Sequence, residues 1–267
     1  MSANSSPRTV RSPQARIWPA LTNLLDILAI AAWGALLMHY WRDGKLGLLI
    51  HPNYHWLTIA TGLLLLIIGV AKLLLLISRI VRRRAIVSQR SHMTLLPSGW
   101  SSALLLAAAI AGFLITPRAF ASDIALNRGI ADFVTLTRSQ PQSFQVVARP
   151  EDRSIVEWVR TLNVYPEPDA YTGQAAKVQG FVVYPPNYPA GYLVISRFVI
   201  TCCAADVYPV GLPVKLPEGS AAQPYPADQW LEIEGTMATE ELDQRRQLVI
   251  VAKSFKTIPE PKNPYDY

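Results

Sequence analysis

Long apolar runs occupy the first half of the chain, and shorter alternating runs occupy the second half. The long runs extend from Leu21 to about Trp41, from Trp56 to about Val81 and from about Gly99 to Ile115. About 20 helical residues cross the roughly 30 Å hydrocarbon core of a bilayer. The three runs therefore predict three transmembrane helices. A signal peptide is the weaker interpretation of the first run, because the run is too long for a signal's hydrophobic region.

Five short runs rich in β-branched and aromatic residues follow, separated by Pro- and Gly-rich turns. They are Ala176–Tyr184, Tyr192–Thr201, Tyr208–Leu216, Gln229–Met237 and Gln247–Thr257. Strands this short and close together are typical of a small closed Greek-key barrel of OB type, with a β-sandwich as the alternative. Gly180 and Gly235, inside two of these runs, indicate bends or bulges.

An amphipathic helix is predicted ahead of the strands, over Glu151–Leu162. Its apolar residues recur at helical spacing, and the acidic residues Glu151 and Asp152 favour a helix N-terminus. We expect the apolar stripe to pack on the domain that follows. Docking on a membrane partner is the alternative.

These patterns together predict an α + β membrane protein with five segments. They are a disordered cytoplasmic tail (1–16), a three-helix transmembrane region (17–118), a connector with an amphipathic helix (119–174), an OB-like β-barrel domain (175–258) and a C-terminal tail (259–267).

Charge is divided unevenly between the two halves. Residues 1–118 carry 12 basic and 2 acidic residues, whereas residues 119–267 carry 13 and 17. Arginines cluster before the first helix and between the second and third helices, namely Arg8, Arg11, Arg16, Arg82, Arg83, Arg84 and Arg90. Because positive loops stay cytoplasmic, we expect a multi-pass protein of the bacterial inner (plasma) membrane with its C-terminal domain outside the cytoplasm. The acidic balance of that domain argues against nucleic-acid binding.

Cys202 and Cys203 are the only two cysteines, and Asp206 follows them. Three interpretations fit the pair: ligands of Zn²⁺ or Cu(I) together with Asp206, a redox pair or vicinal disulfide, or two small packed hydrophobes. Adjacent residues of a strand point to opposite faces, so both thiols can reach one metal only where the strand has ended. The change from Val-Ile-Thr to Ala-Ala-Asp indicates such an end.

Histidines supply a second, weaker candidate site. His51 and His55 lie in the connection between the first two apolar runs, on the predicted outer side with the cysteines, and imidazole suits Zn or Cu. An ordinary polar loop is the alternative. All four histidines precede residue 93, and the chain has no HExxH, CxxC or phosphate-binding glycine loop. We therefore do not expect an enzyme.

Three charged residues lie within apolar stretches. Asp26 and Lys72 fall inside predicted membrane helices, where a charge is costly and a partner helix or snorkelling is expected. Arg197 precedes the cysteines on an apolar strand. We expect it to form an ion pair, with Asp206 as the candidate partner; a substrate-facing contact with an anion is the alternative.

Two stretches carry a resemblance to a known family, beyond the three apolar runs and the β-rich half. They are Arg197-Phe-Val-Ile-Thr-Cys-Cys-Ala-Ala-Asp206 and Trp230-Leu-Glu-Ile-Glu-Gly235. The chain thereby resembles the DUF1980, YcgQ-like group of bacterial membrane proteins, described as permease subunits. The resemblance implies an accessory subunit beside a larger polytopic permease, of a group linked to metal or arsenic export. A metal-binding or redox-sensing surface membrane protein that uses the cysteine pair is the alternative function.

Overall fold

The computed structural model describes residues 14–82, 99–129 and 149–267, and the chain divides into two compact units. The first unit holds helices α1 (Gln14–Arg42), α2 (His55–Val81) and α3 (Trp100–Leu114). The second unit holds the chain from Arg118 onward together with Leu48–His51, a segment of the connection between α1 and α2. Of the predicted tail (1–16), residues 1–13 lie outside the described residues.

Two helices of the first unit are long and apolar enough to cross a membrane. They supply the spans Ala20–Arg42 and Pro52–Val81. The third helix, α3, is apolar but has only 15 residues. It begins after Gly99, whose φ is 91°, and the chain is already extended at Ile115, two residues before Pro117. The prediction of membrane-length helices is thus confirmed for two of the three.

Small residues bring α1 and α2 close together. A Cβ atom on Gly62 would lie 2.6 Å from the Met38 side chain, and one on Gly34 would lie 3.0 Å from the Gly62 carbonyl oxygen. Such contacts leave no room for larger side chains at Gly34 and Gly62.

Polar side chains connect α1 to α3. Trp33 Nε1 donates to the Leu105 carbonyl at 3.0 Å, Tyr40 Oη donates to the Gly112 carbonyl at 2.5 Å, and Ser102 donates to the Asp26 carboxylate. Asp26 therefore has a hydroxyl partner inside the helical unit, which offsets part of the cost of a carboxylate in an apolar helix.

The second unit is built on a six-stranded sheet. Its strands are β1 (Ala175–Val183), β2 (Tyr192–Val199), β3 (Tyr208–Lys215), β4 (Trp230–Leu242), β5 (Arg245–Thr257) and the short β6 (Tyr265–Asp266). All five predicted strands are present. In β4, Leu231 and Ile233 are buried while Glu232 and Glu234 are not, as alternation requires. The predicted irregularity at Gly235 is a register shift between Glu234 and Gly235.

Strand pairing runs in the order β1-β4-β5-β3-β2-β6, with a further pairing of β1 and β2. The pairings β1–β2, β2–β3, β1–β4 and β4–β5 are antiparallel, and β3–β5 is parallel. Each of the five long strands therefore has two neighbours among these five, and β2 also pairs with β6. Gly180 marks the point where β1 begins to approach β2, because a Cβ atom there would lie 2.4 Å from the Ser196 carbonyl oxygen.

Helix α5 (Ile155–Val164) belongs to the core of this unit. Ile155, Trp158 and Leu162 are fully buried and lie in one cluster with residues of all five long strands. The prediction that the apolar stripe packs on the following domain is confirmed. The helix begins later than predicted, because Ser154 and Glu157 form a reciprocal capping box, while Glu151 and Asp152 lie in a preceding 3-10 turn.

The two ends of the C-terminal half lie together against β1 and β2. Before α5, the connector holds a further short helix, α4 (Ser122–Asn127), within its described residues. The segment 259–267, placed outside the β domain by the sequence pattern, ends in β6, which pairs in parallel with β2. Tyr265 is buried, and its hydroxyl accepts a hydrogen bond from the Phe120 backbone N–H. A buried tyrosine with a partner for its hydroxyl anchors this end of the chain.

Candidate metal centre

The cysteines lie in the loop that connects β2 to β3. Strand β2 ends at Val199, so Cys202 and Cys203 are outside the alternating strand geometry that would separate them. Their sulfur atoms are 3.7 Å apart, and one ligand atom from each of Cys202, Cys203 and Asp206 lies within 4.8 Å of the others. The predicted end of the strand is confirmed, and the three side chains converge on one point.

Asp206 closes this loop through backbone hydrogen bonds. Its Oδ2 accepts from the Cys202 N–H at 2.8 Å, and its Oδ1 accepts from the N–H groups of Cys203 at 3.2 Å and Thr201 at 3.4 Å. Its own N–H donates to the Cys203 carbonyl at 3.0 Å. A single carboxylate thus gathers three consecutive amides, which sets the path of the backbone that carries both thiols.

Hydrogen bonding governs the ionisation of the site. The hydrogen bond between the Cys202 thiol and the Asp206 carboxylate, followed by the contact with Cys203, raises the pKa of Cys202 to about 12. Burial acts to raise the pKa of Asp206, but the hydrogen bonds from Cys202 and the three amides outweigh it, so that pKa lies below its ordinary value. Without a cation, the loop therefore holds a carboxylate beside a protonated thiol.

Both cysteines are free thiols, and neither is buried: Cys202 is exposed and Cys203 is half-buried. The interpretation of the pair as two small core hydrophobes is therefore wrong. The reason is the position of the cysteines in the middle of the loop, because the buried residues of this loop are Ile200 and Val207 at its two ends. These anchor the loop and leave the thiols outside the core.

A short segment before α2 pairs with the cysteine loop. Ile50 and Cys203 form an antiparallel bridge, the His51 N–H donates to the Cys202 carbonyl at 3.1 Å, and the Ala204 N–H donates to the Leu49 carbonyl at 2.8 Å. Leu48 packs against the smaller of the two core clusters. We call Leu48–His51 the clasp. No local pattern predicted it, since the pairing joins residues about 150 positions apart in sequence.

The comparison with protein families identifies this part of the chain. The model of the DUF1980 C-terminal domain matches residues 147–267. This C-terminal domain is a DUF1980 domain. The matched range contains Cys202, Cys203, Asp206, the helix α5 and all six strands, and the clasp lies outside it. No match was found among curated proteins or among solved structures.

Arg197 of the DUF1980 domain does not pair with Asp206 as predicted. Its Nε lies 3.7 Å from the Asp266 carboxylate, and its guanidinium lies over the Trp230 ring, 5.5 Å from the centroid. It also donates to the Asn263 carbonyl at 3.3 Å. The correction follows from the two partners: β6 brings Asp266 beside β2, while Asp206 is committed to the amides of its own loop. Arg197 therefore stabilises the C-terminal end of the DUF1980 domain.

The two predicted histidines belong to different units. His51 lies in the clasp, where its backbone bonds to Cys202 and its ring packs edge-on against Tyr267 at 4.8 Å. His55 begins α2 in the helical unit. The cluster of ligand atoms found in the described residues consists of Cys202, Cys203 and Asp206, without either imidazole.

Lys72 lies well inside α2, 17 residues after the helix begins at His55. Its side chain is half-buried, and no ion pair of Lys72 occurs among the described residues. A lysine at this depth of an apolar helix calls for a partner or for snorkelling towards the nearer helix end.

Proposed function

We propose that this protein is an accessory subunit of a membrane permease that presents a thiophilic metal site outside the cytoplasm. The observation that carries the proposal is the convergence of Cys202, Cys203 and Asp206 in a loop that pairs with the segment between two membrane-length helices. The role is binding rather than catalysis.

The clasp constrains how often the chain crosses the membrane. If α1 and α2 both cross, their connection lies on one side and the end of α2 lies on the other. The clasp belongs to the same compact unit as residues 118–267, so the DUF1980 domain must share the side of that connection. The chain must then cross again between α2 and residue 118, and α3 is the apolar helix of the described residues in that interval. A 15-residue helix spans about 22 Å, which local bilayer thinning can accommodate.

The distribution of charge then predicts which side of the membrane each segment faces. The arginines before α1 and after α2 outnumber the basic residues Arg42 and Lys45 of the connection between the two helices. Under the positive-inside rule, the N-terminus is cytoplasmic and the clasp is outside. The DUF1980 domain follows the clasp to the outer face, which in a bacterium is an oxidising compartment.

We infer that the five long strands form a small barrel of OB type. The ring of pairings β1-β2-β3-β5-β4-β1, with β3 and β5 parallel, gives each of these strands a partner on both sides, as barrel closure requires. The acidic balance disfavours the oligonucleotide binding that such barrels often perform. The barrel would instead provide a rigid base for the β2–β3 loop.

The sulfur positions favour a tetrahedral cation of the Zn²⁺ type. With metal–sulfur bonds of about 2.3 Å, sulfurs 3.7 Å apart subtend about 107° at the metal, close to the tetrahedral angle of about 109°. A linear two-coordinate ion such as Cu(I) with bonds of that length would need sulfurs about 4.6 Å apart. When bound, the cation would displace the thiol protons, as metal–thiolate sites do.

A polytopic permease is the proposed partner, and its support is the resemblance to permease subunits given above. Docking would use the apolar helices, with Lys72 as a contact for a carboxylate of the partner. The lipid bilayer covers the remaining apolar surface. The clasp connects the metal-binding loop to the ends of α1 and α2 over a few residues, which suits a subunit that links metal binding to a transport pathway.

Metal binding by the full-length protein in mild detergent tests the site. We expect Co²⁺, a spectroscopic substitute for Zn²⁺, to produce a sulfur-to-cobalt charge-transfer band that Zn²⁺ abolishes. Cys202→Ser and Cys203→Ser should each remove the tight binding, because one sulfur cannot form the chelate. Ala205→Ser, a change of similar size at an exposed position of the same loop, is the matched control and should bind as the wild type does. A wild-type protein without the band would refute the metal site.

Reporter fusions test the membrane arrangement. Alkaline phosphatase, active only outside the cytoplasm, should be active when fused after Tyr267 and inactive when fused after Arg90. Activity in the reverse pattern, or at both positions, would refute the three-crossing arrangement. Affinity purification from membranes then tests the partner: recovery of this protein without a polytopic permease would count against the accessory role.

A further inference from the structure

We infer that Asp206 positions the two thiols rather than binding the cation, so that the site holds its metal through two sulfurs and leaves the other coordination positions open. The inference rests on the proposed metal-binding function and specifies the chemistry of that site: a tetrahedral divalent cation held for exchange.

The Asp206 carboxylate is largely occupied by backbone groups of its own loop. Two oxygens offer about four lone-pair positions. Three of them accept backbone N–H groups, from Thr201 and Cys203 at Oδ1 and from Cys202 at Oδ2. Most of the carboxylate is therefore committed to the backbone of its own loop.

The hydrogen bonds of Asp206 also fix the backbone that carries the two sulfurs. Residues 201–203 follow the end of β2, where no sheet partner on β3 holds the backbone. The carboxylate ties their three amides to one point, and the clasp ties the carbonyl of Cys202 from the other side. If Asp206 moved onto the metal, the amides would lose the acceptor that holds the sulfurs 3.7 Å apart. Ligation by Asp206 therefore works against the chelate that the two thiols form.

It follows that the protein would fill only part of the coordination sphere of the metal. Structural zinc sites have four protein ligands, whereas catalytic sites keep one position for water or substrate. Two protein sulfurs at an exposed loop leave two positions for exchangeable ligands. Such a site can accept a tetrahedral thiophilic cation together with ligands from its donor and release it to stronger ligands. Outer-shell carboxylates commonly orient metal ligands in this indirect way.

Asp206→Asn distinguishes a positioning role from ligation, in the full-length protein with Co²⁺ as the probe. The amide retains an oxygen acceptor for the loop and is a poor metal ligand. We expect the d–d spectrum at saturating Co²⁺ to match that of the wild type, with an affinity lower by about 10-fold, at the small end of outer-shell effects. A shifted d–d spectrum would show that the first coordination sphere has lost an oxygen and would overturn the inference. Asp243→Asn, in the turn between β4 and β5, is the matched control and should change neither quantity.

Hydrogen exchange of the wild type gives a second reading that needs no variant. If the carboxylate stays on the loop, exchange of the amides of residues 201–203 should be unchanged or slower when Zn²⁺ is bound. Faster exchange of these amides on Zn²⁺ addition would overturn the inference. A wild type that binds neither Co²⁺ nor Zn²⁺ would refute the proposed metal site as well, whereas metal binding with a shifted Asp206→Asn spectrum refutes the positioning role alone.

Discussion

Replacing Trp158 tests whether α5 is part of the core of the DUF1980 domain or a surface for docking. The indole is fully buried, packs edge-on against Tyr171 and has the Arg153 guanidinium over its ring at 4.7 Å. Trp158→Ala removes most of a buried aromatic surface and leaves a cavity among the strands. We expect a loss of about 4 kcal/mol, a large share of the roughly 5–15 kcal/mol of a typical domain.

A second substitution at Trp158 separates the effect of lost side-chain volume from the effect of the polar indole N–H. The Trp158 Nε1 is buried without a hydrogen-bond partner among the described residues. Trp158→Phe loses part of the apolar contact but also removes an unpaired buried donor, whose presence costs about 1–3 kcal/mol. These effects oppose each other, so we expect a net loss near or below about 1 kcal/mol.

The measurement is hydrogen exchange of peptides from β2 and β5 in the full-length protein in detergent. These strands exchange through opening of the domain, so their rates report its free energy of unfolding. Val164→Ala, at an exposed position of α5, is the control and should change the free energy by less than about 0.5 kcal/mol. A Trp158→Ala loss below about 1 kcal/mol would refute the assignment of α5 to the core.

Two further predictions concern the thiol loop and the helical unit. Because the pKa of Cys202 is raised to about 12, the rate at which iodoacetamide alkylates this thiol should still increase with pH above pH 10. Asp206→Asn should move that increase to lower pH. A wild-type alkylation rate that levels off near pH 9 would contradict the prediction. Gly34→Ala places a Cβ atom 3.0 Å from the Gly62 carbonyl oxygen, so we expect overpacking to cost about 1–3 kcal/mol, seen as a lower thermal unfolding temperature in detergent. Gly47→Ala is the control, because a Cβ atom there would lie 4.0 Å from the His55 ring, an ordinary van der Waals distance; equal effects of the two substitutions would refute close packing at Gly34.

Elements whose signal is local were predicted well. The five long strands and the membrane-length α1 and α2 follow from runs of apolar residues with a defined period, and the bulge at Gly235 follows from one residue type. The start of α5 was misplaced, although its Ser154 and Glu157 capping pair is itself a local signal. The convergence of Cys202, Cys203 and Asp206 was predicted only in part, because the sequence indicates the end of a strand but not the direction of the loop that follows.

The features that were predicted wrongly depend on contacts between residues far apart in the sequence. Arg197 was given the wrong partner because Asp206 is near in sequence, whereas β6 brings Asp266 near in space. The position of both thiols outside the core likewise depends on which residues of the loop enter the core.

The sequence alone determined the composition of each half, the number and type of the main elements, and the residue types available for a metal site. These properties depend on neighbouring residues, whose hydrophobic period and charge act within one helix or strand. Only the tertiary structure decided that the clasp from the α1–α2 connection pairs with the cysteine loop and that Asp206 is committed to three amides. Both depend on backbone N–H and C=O groups, which nearly all residues carry and which therefore leave little signature in the order of side chains.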